Sequence, residues 1–142
     1  INPLLKIKNT SLEININFIY IVNMVKKFKL NLKEPHLEVI NDLKKKISIT
    51  SNKEIVRRCI KSAINLNKND LIFSTIKEKC SGGCFASEPK FEIEISEDIY
   101  IQLKKIYTEN DFEEYKTEEE KVGKVIRCII NFIEDEPELI KY

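Results

Sequence analysis

The sequence lacks an apolar stretch long enough to cross a bilayer. Its longest candidate, residues 14–25, is interrupted by Asn15, Asn17 and Asn23, whereas a transmembrane helix needs about 20 predominantly apolar residues. No secretory signal is recognisable either. We therefore expect a protein that has no membrane span and works in the cytoplasm.

The residues that usually carry enzyme chemistry are also scarce. The chain of 142 residues contains three glycines and one histidine. No glycine-rich loop for phosphate, no paired-carboxylate site and no nucleophile motif is recognisable. His36 lies at the start of a predicted helix, and the sequence shows no paired carboxylate or nucleophile motif to go with it. The sequence therefore predicts neither an enzyme nor a cofactor.

The four cysteines do not form a metal-ligand pattern. Cys80 and Cys84 flank a Ser-Gly-Gly segment, but two thiols without a nearby histidine do not supply the four ligands of structural zinc. No metal site is predicted. A local disulfide between them stays open, because intracellular disulfides occur in hyperthermophiles. Cys59 and Cys128 fall within predicted helices, where we expect buried structural thiols.

Apolar and charged residues are present in the proportions of a folded protein. Hydrophobic residues make up 42% and charged residues 33% of the chain, which predicts a packed core. The length permits one compact domain or two very small interlocked units, because domains commonly have about 100 to 150 residues.

The net charge of +1 conceals a segregation of charge along the chain. Residues 26–66 contain eleven Lys and Arg against four acids, a balance of +7. Residues 90–135 contain seven against thirteen, a balance of −6. This asymmetry indicates a polyanionic partner for the first half only.

The basic half has the pattern of one strand followed by two helices. Residues 27–32 alternate polar and apolar, which is typical of a strand with one buried face. Its inward positions are Phe28, Leu30 and Leu32. Pro35 suits the first turn of a helix predicted over residues 34–46. Ser51 and Glu54 form a capping-box signature that predicts the start of the second helix.

The same order returns in the acidic half. Residues 91–96 alternate, Ser96 is a good N-cap for a following helix, and Thr117 with Glu120 supplies another capping box. Strand and first-helix positions repeat at a shift of 63 and second-helix positions, such as Arg57 and Arg127, at 70. The second copy therefore carries about seven extra residues, which we expect to lengthen its interhelical loop and to extend its last helix by about one turn of ~3.6 residues.

We predict a mainly α fold with a short two-stranded antiparallel ribbon, in which the two units form an intrachain pseudo-dimer. Pairing is required because a lone strand has unpaired edges and three elements cannot bury their own apolar face. The predicted divisions are an N-terminal extension (1–25), a basic unit (26–66), a linker (67–89) and an acidic unit (90–142). Residues 12–25 fit either a strand or, preferably, a helix capped by Thr10 and Glu13, and linker residues 71–76 favour helix.

The repeated strand-helix-helix order resembles the ribbon-helix-helix superfamily, which includes the Arc, methionine and CopG-type repressors. Residues 54–60 and 124–130 resemble the second helix of that family. Tandem copies in one Lys/Ile/Asn-rich chain are similar to the ribbon-helix-helix regulators carried by lipothrixviruses and other viruses of hyperthermophilic archaea, for which the compartment would be the host cytoplasm. The resemblance implies a sequence-specific transcriptional regulator whose partner is double-stranded DNA, and it leaves self-association on DNA open.

A two-stranded ribbon fits the DNA major groove and meets base edges with its outer face. By the alternation, the expected base contacts are Lys27, Lys29, Asn31, Lys90, Glu92 and Glu94. The amino end of the second helix and its surroundings are expected to hold phosphates. The expected phosphate contacts are Ser51, Asn52, Lys53, Arg57, Lys44, Lys45 and Lys46.

The acidic half departs from what the family resemblance implies. Glu92 and Glu94 would face the groove, and three glutamates, residues 118–120, crowd the second phosphate-anchoring end. An antitoxin-like or other protein-interaction module that uses the acidic half is therefore the alternative function. Pairing of equivalent copies between two chains is the alternative assembly.

Overall fold

A computed structural model describes residues 24–73 and 90–140 of the protein. Within these ranges the chain is mainly helical, with a two-stranded antiparallel sheet, as predicted. The elements are β1 (Val25–Asn31), α1 (Glu34–Ile47), α2 (Asn52–Leu66), β2 (Lys90–Ser96), α3 (Glu97–Glu109), α4 (Glu118–Asp135) and a 3-10 turn (Pro137–Leu139). The predictions for residues 1–23, for Ile76 and for the Cys80 to Cys84 segment lie outside the described residues.

β1 and β2 pair along their whole length, and the ribbon they form has one apolar and one polar face. The register places Phe28 opposite Ile93, with Lys27 opposite Glu94 and Lys29 opposite Glu92. Phe28 and Ile93 are buried, whereas the four charged side chains are exposed. Because side chains alternate across a strand, this register puts the apolar positions of both strands on one side, against the helices.

The predicted helix starts are confirmed by hydrogen bonds from backbone amides to the N-cap hydroxyls. Ser51 Oγ accepts from the Glu54 amide at 3.2 Å, Ser96 Oγ from the Ile99 amide at 3.2 Å. Thr117 Oγ1 accepts from the Glu120 amide at 3.1 Å.

A capping box also requires the Glu54 side chain to accept from the Ser51 amide, and this part of the prediction is wrong. The carboxylate of Glu54 does not reach back to the cap but receives hydrogen bonds from Arg57 at 2.7 Å and from Arg58 at 3.1 Å. Two guanidinium groups one turn further along the helix offer a charged donor, and this outcompetes a neutral amide.

α4 is the central element of the core. It contacts β1, α1, α2 and α3, and its buried residues run from Val122 to Ile133. Gly123 lies beside the ribbon: a Cβ there would make an ordinary contact at 3.7 Å with Leu30 Cδ1 and a tight one at 3.2 Å with the Arg127 guanidinium. The buried apolar residues of both halves thus form one continuous cluster.

The extra residues of the second half lie where the repeat predicted them. α4 has 18 residues against 15 in α2, an extension close to one turn. The loop between α3 and α4 is fixed by aromatic contacts: Phe112 stacks on Tyr107 at 5.6 Å between ring centroids and meets Phe73 edge-on at 5.6 Å. Phe73 belongs to the helical residues 69–73, as the sequence predicted. The Tyr107 hydroxyl donates to the Glu113 carbonyl at 2.7 Å.

No helix in the described ranges combines the length and hydropathy that a membrane crossing requires.

Candidate nucleic-acid interface

The outer face of the ribbon gathers four of the six side chains predicted to contact bases. Lys27, Lys29, Glu92 and Glu94 are all exposed there. The ammonium of Lys27 lies 3.1 Å from Glu94 Oε1, and the two side chains are 61% and 51% exposed. The hydrogen bond to Glu94, followed by the charges of Glu94 and Glu92, raises the pKa of Lys27 above its ordinary value. This face is therefore a mixed-charge surface and not a purely basic one.

The remaining two predicted base contacts lie at the end of the ribbon. Asn31 pairs with Lys90 in the register and is half-buried. The backbone carbonyl of Asn31 accepts a hydrogen bond from Arg127 at 3.0 Å. The end of β1 is thus held by α4.

The predicted phosphate contacts gather where α1 ends and α2 begins. We call Lys44, Lys45, Lys46, Ser51, Asn52 and Lys53 the basic corner. Lys44 Nζ donates to Asn52 Oδ1 at 2.7 Å, which ties the last turn of α1 to the first turn of α2. The chain reverses between them through Ser48, which adopts a left-handed conformation with φ 55° and caps α1.

The exposure of the basic corner suits a polyanion. Lys45, Lys46 and Lys53 are exposed, and the amino end of α2 offers backbone amides and the positive end of the helix dipole. Arg57, the seventh predicted contact, lies one turn further along α2 and is engaged by Glu54 at 2.7 Å. A phosphate would have to compete with that carboxylate for Arg57.

The corresponding end of α4 has the opposite character. Glu118, Glu119 and Glu120 fill its first turn, and Lys104 Nζ lies 3.5 Å from the Glu118 carboxylate. Tyr100, buried beneath, also hydrogen-bonds Glu118, and burial followed by that bond raises the pKa of its hydroxyl. Carboxylates occupy the place where a phosphate would bind, so this helix end is unsuited to anchoring DNA.

The buried charges form a feature that sequence reasoning missed. The repeat places Arg57 and Arg127 at equivalent positions, yet Arg57 is exposed while Arg127 is 3% exposed and bound to the Asn31 carbonyl. Lys124, one turn earlier in α4, is 2% exposed and lies 3.3 Å from the Glu113 carboxylate. The signal that could have revealed them is a basic residue at a helix position that is otherwise apolar.

His36 is a structural residue of the same region. Its Nδ1 accepts from the Lys33 amide at 3.0 Å, so the imidazole caps the amino end of α1. The ring is buried, and burial followed by the charges of Arg127, Lys33 and Lys124 lowers the pKa of His36 to about 4. The imidazole is therefore neutral at ordinary pH, which suits a hydrogen-bond acceptor.

Cys59 and Cys128 are buried thiols, as predicted. Burial raises the pKa of the Cys59 thiol to about 12, so it stays protonated and poorly nucleophilic.

Neither protein-family models nor curated proteins nor solved structures give a match to this chain.

Proposed function

We propose that this protein is a sequence-specific DNA-binding transcriptional regulator in which two ribbon-helix-helix units of one chain form a pseudo-dimer. The observation that carries the proposal is the antiparallel pairing of β1 with β2, with one face on the helical core and the other face exposed. The ribbon is seven residues long, about 20 Å at ~3.4 Å per residue. Two strands about 5 Å apart fit a major groove about 12 Å wide.

Lys27, Lys29 and Asn31 would face the base edges, and the basic corner would hold the phosphates beside the ribbon. Lysine donates to guanine O6 and N7, and asparagine pairs with adenine. The positive corner adds affinity through release of the counterions condensed on DNA. The acidic half chiefly completes the fold and supplies the second strand.

The proposal is tested by a binding selection on random duplexes at two salt concentrations, followed by titration of Lys29→Ala on the enriched duplex. We expect loss of about tenfold or more in affinity, because a good lysine-base contact contributes about 1–3 kcal/mol. Lys105→Ala is the matched control: it removes an exposed lysine of α3 that pairs with Glu109 at 3.8 Å. Unchanged affinity of Lys29→Ala, or enrichment of no sequence, would contradict the proposal.

The acidic groups favour one second candidate, an antitoxin-like module that binds a basic protein partner. Glu92 and Glu94 on the ribbon and Glu118 at the start of α4 are all exposed. Co-purification of a basic partner at equal stoichiometry, together with DNA affinity that does not depend on salt, would favour this candidate.

The mass in solution distinguishes the intrachain ribbon from a dimer in which equivalent copies pair between two chains. In the latter, one ribbon would be basic and the other acidic. A monomeric mass in solution supports the intrachain pairing, and a dimeric mass calls for labels on β1 and β2 to establish which strands meet.

A further inference from the structure

The charges on the ribbon stand in cross-strand pairs of opposite sign. Lys27 lies directly opposite Glu94 and Lys29 directly opposite Glu92. All four side chains are exposed, and the lysines belong to β1 while the glutamates belong to β2. Two successive pairs on this face, separated in the ladder by the buried Phe28–Ile93 pair, therefore present the same arrangement, a donor on one strand and an acceptor on the other.

Building on the DNA-binding function proposed above, we infer that these two pairs recognise G·C base pairs, with lysine at guanine and the glutamate opposite it at cytosine. The inference assigns a role in specificity to Glu92 and Glu94, the carboxylates that otherwise count against contact with DNA.

The chemistry of the major groove supports G·C. Guanine presents two acceptors, O6 and N7, and cytosine presents the N4 amino donor beside them. An ammonium and a carboxylate on directly opposite residues have Cβ atoms about 5 Å apart, so they can address neighbouring groups of one base-pair edge. On an A·T pair the single donor, adenine N6, lies between two acceptors, adenine N7 and thymine O4, and the thymine methyl lies beyond O4. A carboxylate there meets an acceptor on either side.

The ion pair seen in the free protein does not prevent this. Lys27 and Glu94 are 61% and 51% exposed, and pairs so exposed to water contribute little to stability. Both charges can therefore turn from each other toward a base pair of matching polarity. On a wrong sequence the carboxylates meet acceptor atoms, and on the backbone they meet charged phosphates. Both arrangements are repulsive, which raises discrimination between sequences.

The test compares the wild type with Glu92→Gln/Glu94→Gln. Each protein first selects its preferred sequence from random duplexes. Each is then titrated against the duplex that the wild type enriches and against a copy in which the enriched G·C pairs are changed to A·T. Glutamine pairs with adenine through N6 and N7. We expect the variant to bind the G·C duplex more weakly and the A·T duplex more tightly, so that the preference changes by about tenfold or more.

Two controls make the result specific. Glu109→Gln/Glu114→Gln changes the net charge by the same amount but away from the ribbon, at and beyond the carboxyl end of α3. The 13 residues of α3 span about 20 Å. This control should leave the preference unchanged. Inosine in place of guanine keeps the major-groove edge and removes only the minor-groove amine, so affinity should be retained. Thermal melting of each variant, monitored by circular dichroism, verifies that the variant is folded.

The outcomes separate the inference from the function on which it rests. If the double variant gains affinity equally for both duplexes, the carboxylates only repel phosphate, and the inference fails while DNA recognition stands. A loss of affinity on inosine duplexes would place recognition in the minor groove and would also overturn it. If the wild type enriches no sequence, the inference and the proposed function fail together.

Discussion

Acidification should destabilise this protein through His36 before its carboxylates are extensively protonated. The folded state holds the imidazole neutral, since burial and three nearby cations lower its pKa to about 4 from the ordinary 6.5. The unfolded chain takes up a proton near the ordinary pKa. Stability from this group is therefore complete above about pH 6.5, and it falls as the pH drops toward about 4.

The magnitude follows from the two pKa values. A difference of one pKa unit corresponds to about 1.36 kcal/mol, so lowering the pKa from 6.5 to about 4 corresponds to about 3 kcal/mol in full. About 2 kcal/mol of this is lost by about pH 5, where the unfolded chain is already protonated and the folded ring is not. Protonation would also remove the acceptor that Nδ1 offers to the Lys33 amide at 3.0 Å.

The assay is urea unfolding of the wild type and of His36→Gln across this pH range. Glutamine keeps an acceptor at the third helical position, as in a capping box, but does not titrate. Since all carboxylates are common to both proteins, the difference in free energy of unfolding isolates the imidazole. We expect the free energy of unfolding of the wild type, relative to that of the variant, to fall by about 2 kcal/mol between about pH 7 and about pH 5. Parallel curves for the two proteins would refute the reasoning.

Two further predictions concern the buried Arg127, compared with its repeat equivalent Arg57, and two lysines of the basic corner. Arg127→Met should lower the free energy of unfolding by about 1.5–3 kcal/mol, because it removes a buried charged donor to the Asn31 carbonyl at the end of β1. Arg57→Met, at an exposed ion pair, should cost less than about 1 kcal/mol in the same urea titration. Equal losses would show that the two arginines are not distinguished by burial. Lys44→Ala/Lys53→Ala should weaken DNA binding on all sequences and reduce the slope of log affinity against log salt by about two; an unchanged slope would remove the basic corner from the interface.

Local patterns were sufficient to predict the elements because the chemistry that sets them is local. Alternation along residues 27–32 and 91–96 predicted the two strands, and hydroxyls at Ser51, Ser96 and Thr117 marked helix starts that the structure confirms. The extended α4 also followed from the sequence, because the caps Ser51 and Thr117 are 66 residues apart whereas the helix bodies repeat at 70.

Features that depend on which residues meet across the fold were not predictable in this way. Arg57 and Arg127 are the same residue type at the same repeat position, yet the second one is buried and donates to the carbonyl of Asn31, 96 residues away in sequence. The pairing of Lys27 with Glu94 likewise depends on strand register. The low pKa of His36 was not predictable either, because it results first from burial in the fold and then from nearby cations, of which Arg127 and Lys124 belong to α4.

The two halves differ in how they could hold a polyanion, and this difference bears on specificity. A pseudo-symmetric protein with two basic helix ends would grip phosphates on both sides of its ribbon, and much of its affinity would be independent of sequence. Here the start of α2 is basic, while carboxylates fill the start of α4. If the protein binds DNA as proposed, anchoring from one side would leave fewer phosphate contacts, and a larger share of the binding free energy would have to come from the ribbon itself. The mixed charges on that ribbon would then weaken non-specific binding most, which favours discrimination between sequences over affinity for any duplex.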